Sequence, residues 1–200
     1  DNGVVESRIG YYNFGATGKE KTDNRVTADQ YEGTMLADVF FMGTDRSIAV
    51  GDNAFEIYSG KDRPIAVMID NHNLAWPQAG LNDAYMVYEI IVEGGESRLM
   101  ALFKGQNLEK IGPVRSSRHY FLDYALENDA IYVHYGWSPQ AQYDISNLGV
   151  NNINGISESE SSFWRVKDKR APHNVATSTA KILSIAERKG YKTTSTKESV

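Results

Sequence analysis

Residues 112–119 contain the densest group of side chains in the sequence that could bind an anion. Arg115 and Arg118 carry guanidinium groups, which donate paired hydrogen bonds to phosphate or carboxylate. Ser116 or Ser117 is placed to cap a helix, and a helix N-terminus offers unpaired N–H groups and partial positive charge. The segment therefore predicts an anion cradle. The alternative is that the serines only cap the helix while the arginines pair with nearby carboxylates.

Two further side chains could act as a general acid or base. His134 ends an apolar strand, and ligands of open α/β sheets gather at the carboxyl ends of strands. Glu93 follows another strand and precedes Gly94 and Gly95, which would let a substrate approach closely. Each has a plainer alternative, because His134 could be hydrogen-bonded within a turn and Glu93 could be a solvated hairpin carboxylate.

A third cluster, residues 163–174, combines four basic residues with an aromatic pair. A single basic loop on an acidic protein is more often a solvated surface than a polyanion site. Its more specific element is His173 with Asn174, which could equally form the turn that starts the last helix. The histidines and Asp70 lack the helical spacing of familiar metal motifs, so neither a metal nor another cofactor is predicted.

The composition excludes several classes of function. The 200-residue chain has 26 acidic and 21 basic side chains, a formal net charge of −5, which argues against nucleic-acid binding. It has no cysteine, so thiol nucleophiles, disulfides and cysteine-bound metals are excluded. Its apolar runs are far shorter than the roughly 18 residues of a membrane span. The signatures of dinucleotide-binding, P-loop, zincin and nucleophile-elbow proteins are absent.

The elements that must position these residues are predicted to form an α/β (α+β) fold, a mixed and mostly buried sheet flanked by helices. Residues 65–69 are continuously apolar, as in a strand buried on both faces. Residues 86–92 and 99–103 are predicted as an antiparallel hairpin, and residues 130–134 as a further strand. Helices are predicted over residues 116–128, 138–148 and 177–189.

The chain divides into three parts by composition. Residues 1–62 have short apolar bursts between turn-forming clusters, which indicates a β-rich N-terminal extension. Residues 63–192 form the predicted α/β domain. Residues 193–200 are polar and unpatterned, which is typical of a linker or tail.

Five blocks of the sequence, taken together, resemble the YerB-like lipoprotein family of Gram-positive bacteria. They are RPIAVMIDNH at 63–72, VYE and VEGG within 87–95, IGPVRSSR at 111–118, DAIYVH at 129–134 and APHN at 171–174. The order and spacing match over about residues 62–190. The positions carried over by the resemblance are Asp70, Asn71, Glu93, Arg98, Arg115, Ser116, Arg118, His134, Ser138, Arg165, His173 and Asn174.

The resemblance implies an extracytoplasmic, membrane-tethered protein of a Gram-positive bacterium. The tether would be a lipidated cysteine upstream of Asp1, so that the membrane is contacted only through that anchor. The family's N-terminal domain has no assigned biochemical role, and the resemblance therefore supplies no reaction. It does not account for residues 1–62, and it implies a second, C-terminal domain after the last helix.

These observations lead to two hypotheses. The first is a domain that binds an anionic or polyhydroxy envelope ligand, such as a glycan, a peptidoglycan fragment or a phosphate ester. Hydrolysis by Glu93 or His134, with arginines stabilising the developing charge, is its simplest enzymatic form. The second is a noncatalytic protein–protein interaction module with an exposed aromatic patch drawn from Trp76, Trp137 or Trp164. A carbohydrate-binding module would need those tryptophans on one exposed face.

Overall fold

The described part of the chain is built on a mixed six-stranded sheet. The computed structural model describes residues 37–40 and 60–195. The sheet has the strand order β1-β3-β4-β2-β5-β6, and two further strands, β7 and β8, form a separate antiparallel pair. The strands are β1 (Ala37–Phe40), β2 (Ile65–Asp70), β3 (Met86–Ile91), β4 (Ser97–Phe103), β5 (Ile131–His134), β6 (Asn152–Asn154), β7 (Trp164–Arg165) and β8 (Val175–Ala176).

The central strand, β2, sets the geometry of the sheet. All six of its residues are buried, as its continuous apolar run predicts. It runs parallel to β5 and antiparallel to β4, and β6 continues the parallel half. On the other side β3 and β4 form the predicted antiparallel hairpin, with β1 added to β3. The carboxyl ends of β2, β5 and β6 therefore lie at one end of the sheet, together with the amino end of β4.

Helices cover both faces of the sheet, which confirms the predicted α+β class. The helices are α1 (Leu122–Glu127), α2 (Pro139–Asn147) and α3 (Thr179–Arg188). The core on one face includes Phe121 and Leu122 of the α1 region and Ile145 of α2. The core on the other face includes Ile182 and Ile185 of α3. Because side chains alternate along a strand, β2 contributes to both cores.

Two of the three predicted helix starts are confirmed. The Ser138 hydroxyl accepts a hydrogen bond from the backbone N–H of Ala141, and Pro139 occupies the first turn of α2. The Ser178 hydroxyl accepts in the same way from Lys181 at the start of α3. These caps depend on nearest neighbours in the chain, which is why the sequence reveals them.

The predicted helix start at Ser116 or Ser117 is wrong. Helix α1 begins at Leu122, after one 3-10 turn, and residues 112–118 form isolated β-bridges instead of a helix. We call residues 112–118 the wedge segment, because they insert between β2 and β5 where those strands separate. The Arg115 N–H donates to the Met68 carbonyl at 2.9 Å, and the Ser117 N–H donates to the Gly136 carbonyl at 2.9 Å. Backbone donors used in this way cannot form the exposed N-terminus of a helix.

The proposed extension and tail are described only in part. Strand β1 belongs to the predicted extension, and residues 1–36 and 41–59 of that extension lie outside the described residues. The start of the tail is hydrogen-bonded to the domain, because the Arg63 N–H donates to the Thr193 carbonyl at 2.7 Å. Within the described ranges, no helix has the length and apolarity needed to cross a membrane.

We predict that Gly112→Ala destabilises the domain by more than about 3 kcal/mol, because the substitution causes both backbone strain and a steric clash. Gly112 has φ of +147°, and an added Cβ would lie 2.6 Å from the Val175 carbonyl oxygen. The matched control is Gly149→Ala, which has φ of +63° and no atom within 4 Å of the added Cβ. The left-handed conformation alone should cost the control about 1 kcal/mol. Urea unfolding measures both variants, and equal losses would contradict the account.

Candidate functional site

The most buried charged side chain at the strand ends is the carboxylate of Asp70, the last residue of β2. Asp70 is 4% exposed. Its Oδ2 lies 2.7 Å from Nδ1 of His173 and 3.2 Å from Nε of Arg115. Its Oδ1 accepts a hydrogen bond from the His72 N–H at 3.1 Å. Because an ionised carboxylate only accepts hydrogen bonds, Nδ1 of His173 must be the protonated nitrogen of that ring.

Arg115 has unused hydrogen-bonding capacity. Its buried Nε lies 3.2 Å from Oδ2 of Asp70 without forming a hydrogen bond, and its terminal nitrogens donate no hydrogen bond among the described residues. A guanidinium has five N–H donors, four of them on the terminal nitrogens. Arg115 is therefore suited to donate to a ligand.

Arg98 lies opposite Asp70 in the register of β2 and β4. It is 7% exposed, and its Nη1 donates to the Ser116 carbonyl at 2.7 Å. Burial, followed by the positive charges of Arg118 and Arg115, lowers the pKa of Arg98 to about 10. The side chain stays charged at neutral pH and fixes the wedge segment to the sheet.

Arg118 and Glu93 form the second ion pair of this region. The Arg118 Nε lies 2.7 and 2.9 Å from the two carboxylate oxygens of Glu93, and its Nη1 donates to the Ser117 carbonyl at 2.9 Å. The hydrogen bond from Arg118 lowers the pKa of Glu93 to about 2. Glu93 therefore has no proton to donate at neutral pH and is a weak base, which does not suit the acid–base role predicted for it.

These charged residues form a single group at the carboxyl end of β2. Arg98 has electrostatic interactions with Arg118, Arg115, Asp70 and Glu93. We call the group the Asp70 cluster; it consists of Asp70, Glu93, Arg98, Arg115, Arg118 and His173. Within the described residues, no group of three or more acidic or histidine side chains could hold a metal ion.

His134 is separate from the Asp70 cluster and lies in the core. It is fully buried, with Nδ1 2.8 Å from the Gly136 carbonyl and Nε2 3.2 Å from Oδ1 of Asn152. Burial lowers its pKa, so the ring is neutral at ordinary pH. Rings of Tyr132 and Trp137 lie 5.3 Å from it on either side. A neutral ring donates through one nitrogen only, and the contact of Nδ1 with the Gly136 carbonyl holds His134 in a turn, as in the alternative of a hydrogen-bonded turn histidine.

The predicted serine ligands use their hydroxyls within the fold. Ser117 is buried and accepts a hydrogen bond from the Tyr132 hydroxyl at 2.9 Å. Ser116 donates to the Tyr135 carbonyl at 3.1 Å, and Ser138 caps α2. These three residues shape the region around the Asp70 cluster rather than offering free hydroxyls to it.

Arg165 and Asn174 hold the loop that presents His173. The Arg165 Nη1 donates to Oδ1 of Asn174 at 2.7 Å, and the Asn174 amide donates to the carbonyls of Val166 and Lys169 at 3.3 Å. The two side chains thus close the loop between β7 and β8. They position His173 and are not themselves bonded to Asp70.

A polar network beside the Asp70 cluster contains residues that the sequence did not indicate. Asn71 donates to Oε1 of Glu89 at 3.0 Å and to the Ser97 hydroxyl at 2.8 Å. Its Oδ1 accepts from the Trp76 indole at 3.2 Å and from the Gln78 amide at 3.0 Å. Only Asn71 was predicted as a ligand; Trp76 was named for an exposed aromatic patch, and Gln78, Glu89 and Ser97 share no local motif.

His72 is also a residue that the sequence did not place in a site. Its ring stacks on His173 with centroids 4.4 Å apart and an angle of 17° between the rings. Its Nδ1 accepts from the Leu74 N–H at 3.1 Å, which starts the turn after β2. The stack joins that turn to the loop carrying His173.

Comparison with known families confirms the resemblance seen in the sequence blocks. The family model described as "Protein of unknown function (DUF3048) N-terminal domain" matches residues 51–192. The chain belongs to this family. A second model, described as a family of unknown function (DUF5711), matches residues 1–73, a smaller share of the chain.

One relative, compared both as a sequence and as a crystal structure, agrees with the DUF3048 assignment. The domain is 43% identical over 130 residues to "Putative lipoprotein YerB" of Bacillus subtilis (strain 168), covering 65% of this chain and 39% of that protein. The crystal structure of YerB from Bacillus subtilis matches with a TM-score of 0.62 and 40% identity, covering 66% of this chain and 46% of that one. The chain spans less than half of the length of YerB in both comparisons.

We predict that Arg118→Ala raises the pKa of the Glu93 carboxyl from about 2 toward its ordinary value of 4.5. Because the pKa of this carboxyl is lower in the folded protein than its ordinary value, ionised Glu93 stabilises the fold at pH values above 4.5. That stabilisation is lost as the pH falls from 4.5 toward about 2. Because the Glu93 side chain is 66% exposed, solvent screens the pair, and its contribution stays below about 1 kcal/mol.

NMR titration of the side-chain carboxyls measures this change directly. Arg188→Ala, which removes the separate pair with Glu158, is the control and should leave the Glu93 titration unchanged. A Glu93 midpoint near 4.5 in the unmodified protein would contradict the assignment.

Proposed function

We propose that this DUF3048 domain binds an anionic ligand of the cell envelope, through a phosphate or carboxylate group, at the Asp70 cluster. The observation that carries the proposal is the guanidinium of Arg115, whose terminal nitrogens donate no hydrogen bond among the described residues although the side chain is 26% exposed. A ligand oxygen would accept from those terminal N–H groups. Charge-assisted hydrogen bonds of this kind are the stronger ones in proteins.

The charge of the cluster supports the proposal. Three arginines and two carboxylates give it a local excess of one positive charge on a chain of net charge −5. A positive patch on an acidic protein attracts anions selectively. The cluster also lies at the carboxyl ends of parallel strands, where open α/β sheets bind ligands.

The guanidinium groups are already held in place before a ligand arrives. Arg98 and Arg118 donate to the Ser116 and Ser117 carbonyls of the wedge segment, and Arg115 is fixed by Asp70. Fixing side chains in advance reduces the entropy lost on binding. The same bonds explain why arginine rather than lysine suits these positions, since a planar fork is needed.

The cell-envelope location follows from the relative's name and is part of the proposal. A lipoprotein is tethered at the membrane surface by acyl chains, so its domains meet envelope components rather than cytoplasmic ones. We infer the same setting for this domain, as part of a longer tethered protein of a Gram-positive bacterium. Glycans, peptidoglycan fragments and phosphate esters are then the ligands to test.

Hydrolysis of the bound ligand is a second candidate, favoured by the bond between Asp70 and His173. A carboxylate that binds Nδ1 orients the ring and leaves Nε2 to take a proton from water. Among the described residues Nε2 of His173 has no hydrogen-bond partner. The base in this form of the proposal is His173, and neither Glu93 nor His134 has the required surroundings.

We predict that the domain binds inorganic phosphate and that Arg115→Ala weakens this binding by about tenfold or more, as expected for the loss of one charged hydrogen-bond donor. Isothermal titration calorimetry measures the affinity. Arg188→Ala is the matched control, because it removes an exposed arginine of α3 that pairs with Glu158. Unchanged binding in Arg115→Ala, or equal losses in both variants, would contradict the proposal.

The hydrolytic form is tested with the same proteins and a chromogenic phosphate ester. Release of nitrophenol that is lost in His173→Ala, while phosphate binding is retained, would support hydrolysis. Binding without release would assign the domain to ligand binding alone.

A further inference from the structure

We propose that the ligand of the Asp70 cluster is an anionic saccharide whose sugar ring stacks on Trp76. This inference rests on the proposed anion site and adds the chemical class of the ligand. It depends on three features beside the cluster: an exposed tryptophan whose indole is anchored, a small cavity with both apolar and charged lining residues, and the convergence of the segments that carry them.

Trp76 is an exposed aromatic ring held in a defined position. The residue is 57% exposed, although its indole Nε1 donates to Oδ1 of Asn71 at 3.2 Å. Its backbone carbonyl accepts from the Lys169 ammonium at 2.8 Å, which fixes the chain beneath the ring. The faces of an indole carry partial negative charge and attract the C–H groups of a sugar ring. An anchored ring loses little freedom when a ligand stacks on it.

A cavity of about 260 Å³ lies next to Trp76 in the chain and next to the wedge segment. It is lined by Pro77, Gln78, Lys110, Pro113 and Lys169, among others. Pockets for drug-sized ligands measure about 300–1,000 Å³, so this cavity suits a smaller ligand of one ring. Its charged lining residues are Lys110, Lys169 and Asp168, which leave an excess of one positive charge, and the amide of Gln78 suits hydroxyl groups.

Gln78 has an acceptor available for such a ligand. Its amide nitrogen donates to the Asp70 carbonyl at 3.2 Å and to Oδ1 of Asn71 at 3.0 Å. Its Oε1 accepts no hydrogen bond from the described residues. An oxygen fixed in this way beside the cavity can accept from a sugar hydroxyl.

Three segments bring Trp76, the cavity and the Asp70 cluster together. The turn after β2 carries Trp76 and joins the loop between β7 and β8 through the stack of His72 on His173. The same turn joins the wedge segment, because the Ala79 N–H donates to the Gly112 carbonyl at 2.7 Å. Aromatic and anion-binding groups therefore belong to one region of the surface.

The surroundings of Trp76 favour a saccharide over a lipid bilayer or an apolar protein partner. Leu74 is its exposed apolar neighbour, at 59% exposure, whereas Asn71, Gln78 and Lys169 are polar or charged. Membrane-inserting and protein-docking surfaces need a larger continuous apolar area. One aromatic face among polar groups, beside cations, fits a sugar that carries a phosphate or carboxylate.

Calorimetry with matched probes tests the inference on the full chain. The probes are inorganic phosphate, acetate, glucose, glucose 6-phosphate and glucuronate. We expect at least one of the two anionic sugars to bind about tenfold more tightly than its matching anion, with glucose alone far weaker than either. Trp76→Ala should remove that advantage and leave the affinity for the simple anion unchanged. Trp76→Phe should retain most of the advantage, and Leu74→Ala should have no effect.

The outcomes distinguish failure of the saccharide inference from failure of the proposed anion site. Equal affinities for the sugars and their simple anions, or an unaltered advantage in Trp76→Ala, would overturn the saccharide inference while leaving the anion site standing. A folded protein that binds none of the anions would overturn both. Sedimentation with vesicles of phosphatidylglycerol and phosphatidylcholine gives a further check, since binding that is lost in both Trp76→Ala and Leu74→Ala would identify a bilayer surface instead.

Discussion

The arrangement of this domain depends on one buried carboxylate, that of Asp70. Removing an ionised carboxylate from water is costly unless charges and hydrogen bonds replace the lost hydration. Here Arg115, His173 and the backbone N–H of His72 replace it. Each of these groups comes from a different part of the chain. The carboxylate therefore contacts three segments at once: the turn after β2, the wedge segment and the loop between β7 and β8.

The wedge segment explains how the sheet opens at this point. Strands β2 and β5 pair through Val67 and Val133 and then separate, and residues 112–118 fill the space with hydrogen bonds to both sides. The segment places Arg115 and Arg118 at the strand ends in extended backbone rather than on a helix. Arg98 then reaches the Ser116 carbonyl from β4. Fold and charge are thus coupled, because the backbone that completes the sheet also carries the proposed ligand-binding side chains.

The sequence predicts the parts of this fold that local signals determine. The apolar run of β2, the β3–β4 hairpin and the cap at Ser138 were all predicted, since each depends on neighbouring residues. The wedge segment was not, because its serines suit a helix cap until strands distant in sequence take up its N–H groups. The two histidines show the same limit of local signals. His134 ends an apolar strand and His173 lies in a loop, and only tertiary packing buries His134 and pairs His173 with Asp70.

The most direct test of the central role of Asp70 is an NMR titration of the arginine side-chain Nε–H signals with inorganic phosphate. The account predicts that the signals of Arg98, Arg115 and Arg118 shift together with a single dissociation constant. In a folded Asp70→Asn variant, this common response should be lost, because the carboxylate that holds the segments together is gone. Independent shifts, no shifts at all, or an identical response in Asp70→Asn would contradict the account.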